Sequence, residues 1–199
     1  MVLGIGTGTT AQFFIEGLTG QQVVAVATSL ASAELARAAG IPVLDEVAGP
    51  IDLAVDGADE IDPELRLVKG HGGALFREKM VATAARRFVV ISDESKLVDR
   101  LGRTFVPVEV SPFLWRQTAA RLEAVGASGA LRGGEGQPFV TDNGNLIIDL
   151  TFPSGIADPE RAAAQLKAVT GVLDHGLFLS LAKAAFVAGP DGVRVLGTP

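Results

Sequence analysis

Over the first half of the chain, short apolar runs rich in Val, Ile and Ala alternate with stretches in which apolar residues recur every three or four positions. Runs of that kind predict strands at 1–5, 22–28, 41–44, 51–55 and 88–92. The longer periodicity predicts helices at about 11–18, 30–39 and 74–86, with Gly40 stopping the second. Strand–helix–strand repetition of this kind builds a parallel sheet covered on both faces. From Phe105 the texture changes: a strand over 105–110, a helix near 112–125, a hairpin over 140–147 turning at Asn143-Gly144, a helix near 158–169 and a strand over 172–178. The tail over 184–196 reads as a second hairpin around Gly189-Pro190-Asp191-Gly192. The expected fold class is therefore α/β, a doubly wound, mostly parallel, Rossmann-like sheet with a smaller inserted α+β domain. The boundaries place 1–105 plus 178–199 in the first domain and 106–177 in the second. Gly133-Gly134-Glu135-Gly136 reads as a loop.

Composition narrows the partners. Seventeen Lys and Arg against 23 Asp and Glu give a net charge of −6. A phosphate backbone needs a surplus of cations, so no nucleic-acid partner is expected. A small phosphate remains accessible to a few cations gathered in one cleft. With no Cys there is no disulfide, thiolate nucleophile or thiolate metal site. No apolar run reaches the roughly 18 residues a membrane span needs, and Met1-Val2-Leu3-Gly4 lacks the basic start of a signal peptide. A soluble cytoplasmic protein with no membrane partner is expected.

Three loops carry unusual residues, two of them directly after predicted strands, and ligands of open parallel sheets sit at such strand ends. In Gly6-Thr7-Gly8-Thr9-Thr10 the glycines admit an anion to backbone N–H groups at a helix start; a tight turn with a Thr cap explains the same residues. The loop fits neither the dinucleotide fingerprint nor a P-loop, since Thr9 stands where the last Gly belongs and no Gly-Lys-Ser/Thr occurs. In Asp56-Gly57-Ala58-Asp59-Glu60-Ile61-Asp62 the carboxylates repel one another unless a cation or proton lies among them. Asp62 reads as a turn cap, and Asp56, at the strand end, as functional. Lys69-Gly70-His71-Gly72-Gly73 leads into a helix that carries Glu78 in its first turn. Glu is favoured there by the helix dipole alone, and a catalytic carboxylate is the other reading. His71 is a general base or an incidental His; with His175 far away in sequence, metal binding by the pair is not expected.

Taken in order, Gly4-Ile5-Gly6-Thr7-Gly8-Thr9-Thr10-Ala11, Val55-Asp56-Gly57-Ala58-Asp59-Glu60-Ile61, Lys69-Gly70-His71-Gly72-Gly73-Ala74-Leu75 and Arg77-Glu78-Lys79 resemble the type A ribose-5-phosphate isomerases. Asp93-Glu94-Ser95-Lys96, Pro107-Val108-Glu109-Val110, Val140-Thr141-Asp142-Asn143-Gly144-Asn145, Gly171-Val172 and Gly176-Leu177-Phe178 extend the likeness over essentially the whole chain. The resemblance implies interconversion of ribose 5-phosphate and ribulose 5-phosphate without metal or other cofactor, and a homodimer. It implies that Glu78 transfers the proton, with Asp56, Asp59 and Lys69 in the chemistry. It also implies substrate contacts from Thr7, Gly8, Thr9, Thr10, Gly57, Ala58, Gly70, His71, Gly72 and Lys96, leaving open which cation holds the phosphate.

The sequence departs from the family pattern twice. Its first strand begins almost at Met1, where the family carries a preceding helix, and His71 stands where the family more often has Gly. A side chain at that position either points away from the sugar or narrows the pocket. A sugar-phosphate sensor needs the phosphate loop but not Glu78, and usually a DNA-binding helix-turn-helix. An amino-sugar-phosphate deaminase needs a His–acid pair, and a CoA transferase a Glu nucleophile and a longer chain.

Overall fold

The computed structural model describes residues 1–198; Pro199, the last residue of the expected first domain, lies outside them. In chain order the elements are β1 (Val2–Ile5), α1 (Thr9–Gly17), β2 (Val24–Ala27), α2 (Leu30–Ala38), β3 (Leu53–Asp56), β4 (Glu60–Ile61), β5 (Leu67–Val68), α3 (Leu75–Ala84) and β6 (Phe88–Asp93). There follow β7 (Val106–Val110), α4 (Trp115–Glu123), β8 (Ser128–Leu131), β9 (Leu146–Thr151), α5 (Pro159–Lys167), β10 (Val172–His175), β11 (Leu177–Phe178), β12 (Ala182–Gly189) and β13 (Gly192–Gly197). The chain divides into two compact units. One holds Met1–Ala58, Arg77–Lys96 and everything described from Ser180 on; the other holds Asp59–Phe76 and Leu97–Leu179. The second unit thus takes in 59–76, 97–105 and 178–179, which the sequence pattern groups with the first domain.

The first unit is built on a six-stranded sheet in the order β13-β12-β6-β3-β1-β2. All neighbours are parallel except the β12–β13 hairpin. Its central strands are apolar nearly throughout, as strands covered on both faces must be: Leu3, Ile5, Ala54, Val55, Phe88, Val89 and Val90 are buried. From β1 the chain moves outward to β2 and then returns to the other side of β1 as β3, so the sheet's switch point lies between β1 and β3. Helix α3 packs over this point. A Cβ at Gly4 would lie 2.4 Å from Val81 Cγ1 and 3.0 Å from Ala54 Cβ, so glycine is what lets the helix approach. The end of α3 is tied to the approach to β3, where Ile51 N–H donates to Ala84 O at 3.2 Å. The helix therefore runs back along the sheet with its first turn toward the carboxyl ends of the strands.

In the second unit β10-β7-β9-β8 form an antiparallel sheet, beside a small sheet β11-β5-β4. Alternation along β7 sends Val106, Val108 and Val110 into a core with Leu122, Ile148, Leu150 and Leu166. Glu109, on the opposite face, is nonetheless fully buried. Its Oε1 accepts from Thr141 Oγ1 at 3.0 Å, Asn143 Nδ2 at 3.1 Å and Asn145 Nδ2 at 2.8 Å.

That cluster explains one departure from the sequence pattern. The expected hairpin over 140–147 reduces to a turn and one bridge, Val140 to Leu146, because its polar side chains are gathered on Glu109 and β9 pairs instead with β7 and β8. The strand expected over 172–178 is broken at Gly176, where β10 leaves one sheet and β11 enters the other. The backbone passes so close there that a Cβ would lie 2.3 Å from Lys69 O. The strand expected over 41–44 is only a bridge between Ala25 and Val43. Strand β8, Ser-Gly-Ala-Leu, carries no sequence signal, since Gly and Ala disfavour strands and it alternates only between exposed and half-buried positions.

Candidate active site

In the first unit the candidate residues gather at the carboxyl edge of the sheet, around the switch point. Gly8 is the N-cap of α1, with φ 103° and no side-chain cap. The first amides of the helix are thus left without a side-chain acceptor, as at helix starts that take an anion. Gly6 holds this loop against β3: its N–H donates to Val55 O at 3.0 Å, and a Cβ would overlap Asp56 Oδ1 at 1.9 Å. Asp56, 3% exposed, accepts from Thr7 N–H at 3.2 Å and Gly57 N–H at 2.7 Å on the same oxygen.

Beneath the loop lies a hydroxyl network that the sequence pattern does not single out. Ser32 Oγ donates to Gly6 O at 2.7 Å and Thr28 Oγ1 to Ile5 O at 3.2 Å. Thr7 Oγ1 lies 2.8 Å from Thr28 Oγ1 and 3.2 Å from Ser32 Oγ. Both of those hydroxyls already direct their hydrogens to carbonyls, so Thr7 donates inward and shapes the loop. Thr9 is exposed and Thr10 half-buried. The available signal for the network is a strand end followed by Ser29, whose Oγ caps α2 by accepting from Ser32 N–H at 3.0 Å.

Glu78 stands one helical turn before Val81, toward the carboxyl edge. It is 5% exposed. Lys96 closes the 3₁₀ turn Glu94–Lys96 that follows β6, the strand beside β3, and is half-buried. Asp93 opens that turn. Hydrogen bonds from the Ser95 side chain and backbone, with the nearby Lys96 charge, hold its carboxyl below the usual aspartate value.

In the second unit Lys69 and the turn after it are fixed from several sides. Lys69 is 2% exposed, its N–H donates to Gly176 O at 2.9 Å, and its Nζ lies 5.5 Å from the centre of the Phe178 ring. Gly70 and Gly73, at φ 104° and 86°, close a turn through Gly73 N–H to Gly70 O at 2.9 Å. Asp59 is anchored by its N–H to Val68 O at 2.8 Å and accepts His71 N–H on Oδ2 at 3.0 Å. The His71 ring stacks on Phe105 at 4.0 Å between centroids and its Nε2 lies 3.0 Å from Phe105 O. A carbonyl only accepts, so Nε2 carries the hydrogen and Nδ1 faces Asp59 Oδ1 at 3.5 Å. The ring is thus held by the protein on both sides.

Neighbouring carboxylates have structural partners. Glu60, fully buried, accepts from Gly102 N–H at 2.7 Å and from Thr104 Oγ1 at 2.6 Å. Asp62 caps its own turn, as expected, but is buried: it accepts from Glu64 N–H, Arg66 N–H and, at 2.6 Å, Arg66 Nε. Burial alone lowers the Arg66 pKa, and the bond and charge of Asp62, helped by Glu64 and Glu160, raise it further than burial lowers it. Among the described residues no three His, Asp or Glu side chains are gathered to hold a metal ion.

The family model described as ribose 5-phosphate isomerase A (phosphoriboisomerase A) matches residues 24–192. The ribose-5-phosphate isomerase A of Roseiflexus sp. (strain RS-1) is 52% identical over 209 aligned residues, covering all of this chain and 89% of the relative. The chain belongs to this family. Its fold is likewise that of solved members. The ribose 5-phosphate isomerase A of Methanocaldococcus jannaschii superposes with a TM-score of 0.92 at 37% identity, over all of this chain and 91% of that one. A D-ribose-5-phosphate isomerase solved in complex with phospho-erythronic acid gives 0.93 at 41% identity with the same coverage. No helix among the described residues of this family member is long and apolar enough to cross a membrane.

Proposed function

We propose that this chain interconverts D-ribose 5-phosphate and D-ribulose 5-phosphate through an enediol(ate). Support comes from family membership and, above all, from a buried Glu78 in the first turn of the helix that packs over the sheet's switch point. In the aldose-to-ketose direction the Glu78 carboxylate takes the C2 proton, the C2–H electrons form the C1–C2 double bond, and the aldehyde oxygen becomes the oxyanion. A hydroxyl proton passes from O2 to O1, and Glu78 returns its proton to C1, leaving the ketone at C2. A positioned base of this kind contributes about 10²–10⁴-fold. Lys69 and the amides of the glycine turn stabilise the oxyanion; one such donor is worth about 10²–10³-fold. Asp56 and Asp59 manage the hydroxyl protons. The loop over 7–10 takes the phosphate, chiefly through the amides at the start of α1 and the hydroxyls of Thr9 and Thr10, with Lys96 adding positive charge. A relative bound to phospho-erythronic acid, a phosphorylated sugar acid, agrees with a substrate of this class.

The chain is further read as a cytoplasmic homodimer; exposed Phe13, Phe113 and Leu114 offer apolar surface for self-association, which sedimentation tests. The direct test of the reaction is a substrate panel. Turnover of ribose 5-phosphate, with none of glucosamine 6-phosphate or of an acyl-CoA with a carboxylate acceptor, is expected. Ammonia release from the amino sugar phosphate without isomerisation would replace the reading by a deaminase.

A further inference from the structure

The turn that follows Lys69 is gripped by a side chain that the chemistry above does not use. Arg132, directly after β8, has its guanidinium side chain 14% exposed and binds both oxygens of Asp149, Nε to Oδ2 at 2.9 Å and Nη2 to Oδ1 at 2.5 Å. Its Nη1 donates to the carbonyls of Gly70 at 3.2 Å and His71 at 2.9 Å. The Phe105 and Phe139 rings lie 5.5 and 5.6 Å from the guanidinium carbon, so the fork is fixed by aromatic contact as well as by Asp149. In a trans peptide the C=O and the following N–H point in opposite directions. Drawing the Gly70 carbonyl toward Arg132 therefore turns His71 N–H the other way, where it meets Asp59 Oδ2. Drawing the His71 carbonyl the same way turns Gly72 N–H from Arg132, and Gly72 is exposed.

We infer that Arg132 is a positioning residue: by holding two carbonyls it orients the Gly70–His71 and His71–Gly72 peptide planes, aiming one amide at Asp59 and presenting the Gly72 amide as an oxyanion donor. The inference rests on the isomerase reading. The charge on Arg132 also polarises both peptides, which strengthens the amides on their far side. Asp149 keeps the guanidinium in place. Lysine cannot substitute, because a single ammonium group lacks the fixed fork that reaches a carboxylate and two carbonyls at once.

The test compares parent, Arg132→Ala and Arg132→Lys in isomerisation of ribose 5-phosphate, with circular dichroism and cooperative thermal unfolding checking the fold. Folded Arg132→Ala is expected to lose about 10–100-fold in kcat with KM changed by less than about threefold, since the amides are misaimed rather than removed. Guanidinium chloride at tens of millimolar is expected to restore kcat several-fold, and sodium chloride at equal ionic strength to leave it unchanged. A purely structural role would lower the unfolding temperature without rescue by guanidinium. Should the alanine variant fail to fold, Arg132→Lys carries the same expected kcat loss. Either folded variant with kcat within twofold of the parent, or a loss that guanidinium does not relieve in Arg132→Ala, overturns the inference. A parent that does not turn over ribose 5-phosphate removes the isomerase reading and this inference with it; an active parent beside an equally active variant removes the inference alone.

Discussion

Replacing Gly6 by alanine tests how the phosphate loop and Asp56 depend on one another. The new methyl would lie 1.9 Å from Asp56 Oδ1, 2.1 Å from its Cγ and 2.6 Å from its Cβ, so a buried side chain and not a flexible tip must move. Rotating Asp56 away breaks the bonds from Thr7 and Gly57 N–H to Oδ1. Bonds to a charged group contribute about 1.5–3 kcal/mol each, so two together amount to about 3–6 kcal/mol. That is a large share of the roughly 5–15 kcal/mol by which domains are stable. At about 2–4 °C per kcal/mol for a chain of this size, Tm is expected to fall by roughly 6–24 °C. Gly8→Ala is the control. Its added methyl meets nothing within 4 Å, so only the strain of φ 103° with ψ 177° remains, about 1–3 kcal/mol. Thermal unfolding and isomerase assays on both variants decide the matter. An unchanged Tm in Gly6→Ala would refute the coupling, as would a larger fall in Tm in Gly8→Ala.

Three further outcomes follow from the same geometry. Gly176→Ala places a methyl 2.3 Å from Lys69 O and is expected to displace Lys69, lowering kcat by at least about tenfold; a folded variant with parental kcat contradicts this. Glu109→Ala strands the donors of buried Thr141 and half-buried Asn145, beside that of exposed Asn143, and is expected to cost about 3 kcal/mol in urea unfolding, with the m-value unchanged. Because the Asp93 carboxyl is held below its unfolded value, its contribution is present above the ordinary aspartate pKa and is lost as pH falls through the lower folded value. Asp93→Asn is therefore expected to be slightly less stable than the parent at pH 7, with the gap closing below about pH 4; Asp93 is exposed, so the effect is small, and a gap that widens in acid contradicts it.

The parallel sheet was readable because its strands are apolar runs set between helical periods, and Gly40 marks the end of α2. The short strands β4 and β5 were not, since two-residue strands carry no periodicity. Nor was the break at Gly176, whose cause is the distant Lys69 carbonyl. Among the candidate residues, those named by the ordered motifs lie on strand ends, turns and a helix start, where backbone pattern betrays them. Thr28, Ser32 and Arg132 escaped notice because what matters about them is which carbonyl or hydroxyl they reach, and that is set by packing. The choice between narrowing a pocket and turning aside at His71 was likewise open in sequence; its ring lies on Phe105 with Nε2 at the Phe105 carbonyl.

The central claim is that one buried carboxylate carries the proton between C2 and C1. Isomerisation of ribose 5-phosphate by the parent and by Glu78→Gln, both with EDTA present, tests it most directly. Activity in the parent with a kcat loss of at least about 100-fold in a folded Glu78→Gln is the predicted result. A Glu78→Gln variant that retains parental kcat would contradict the claim and move the base to another residue.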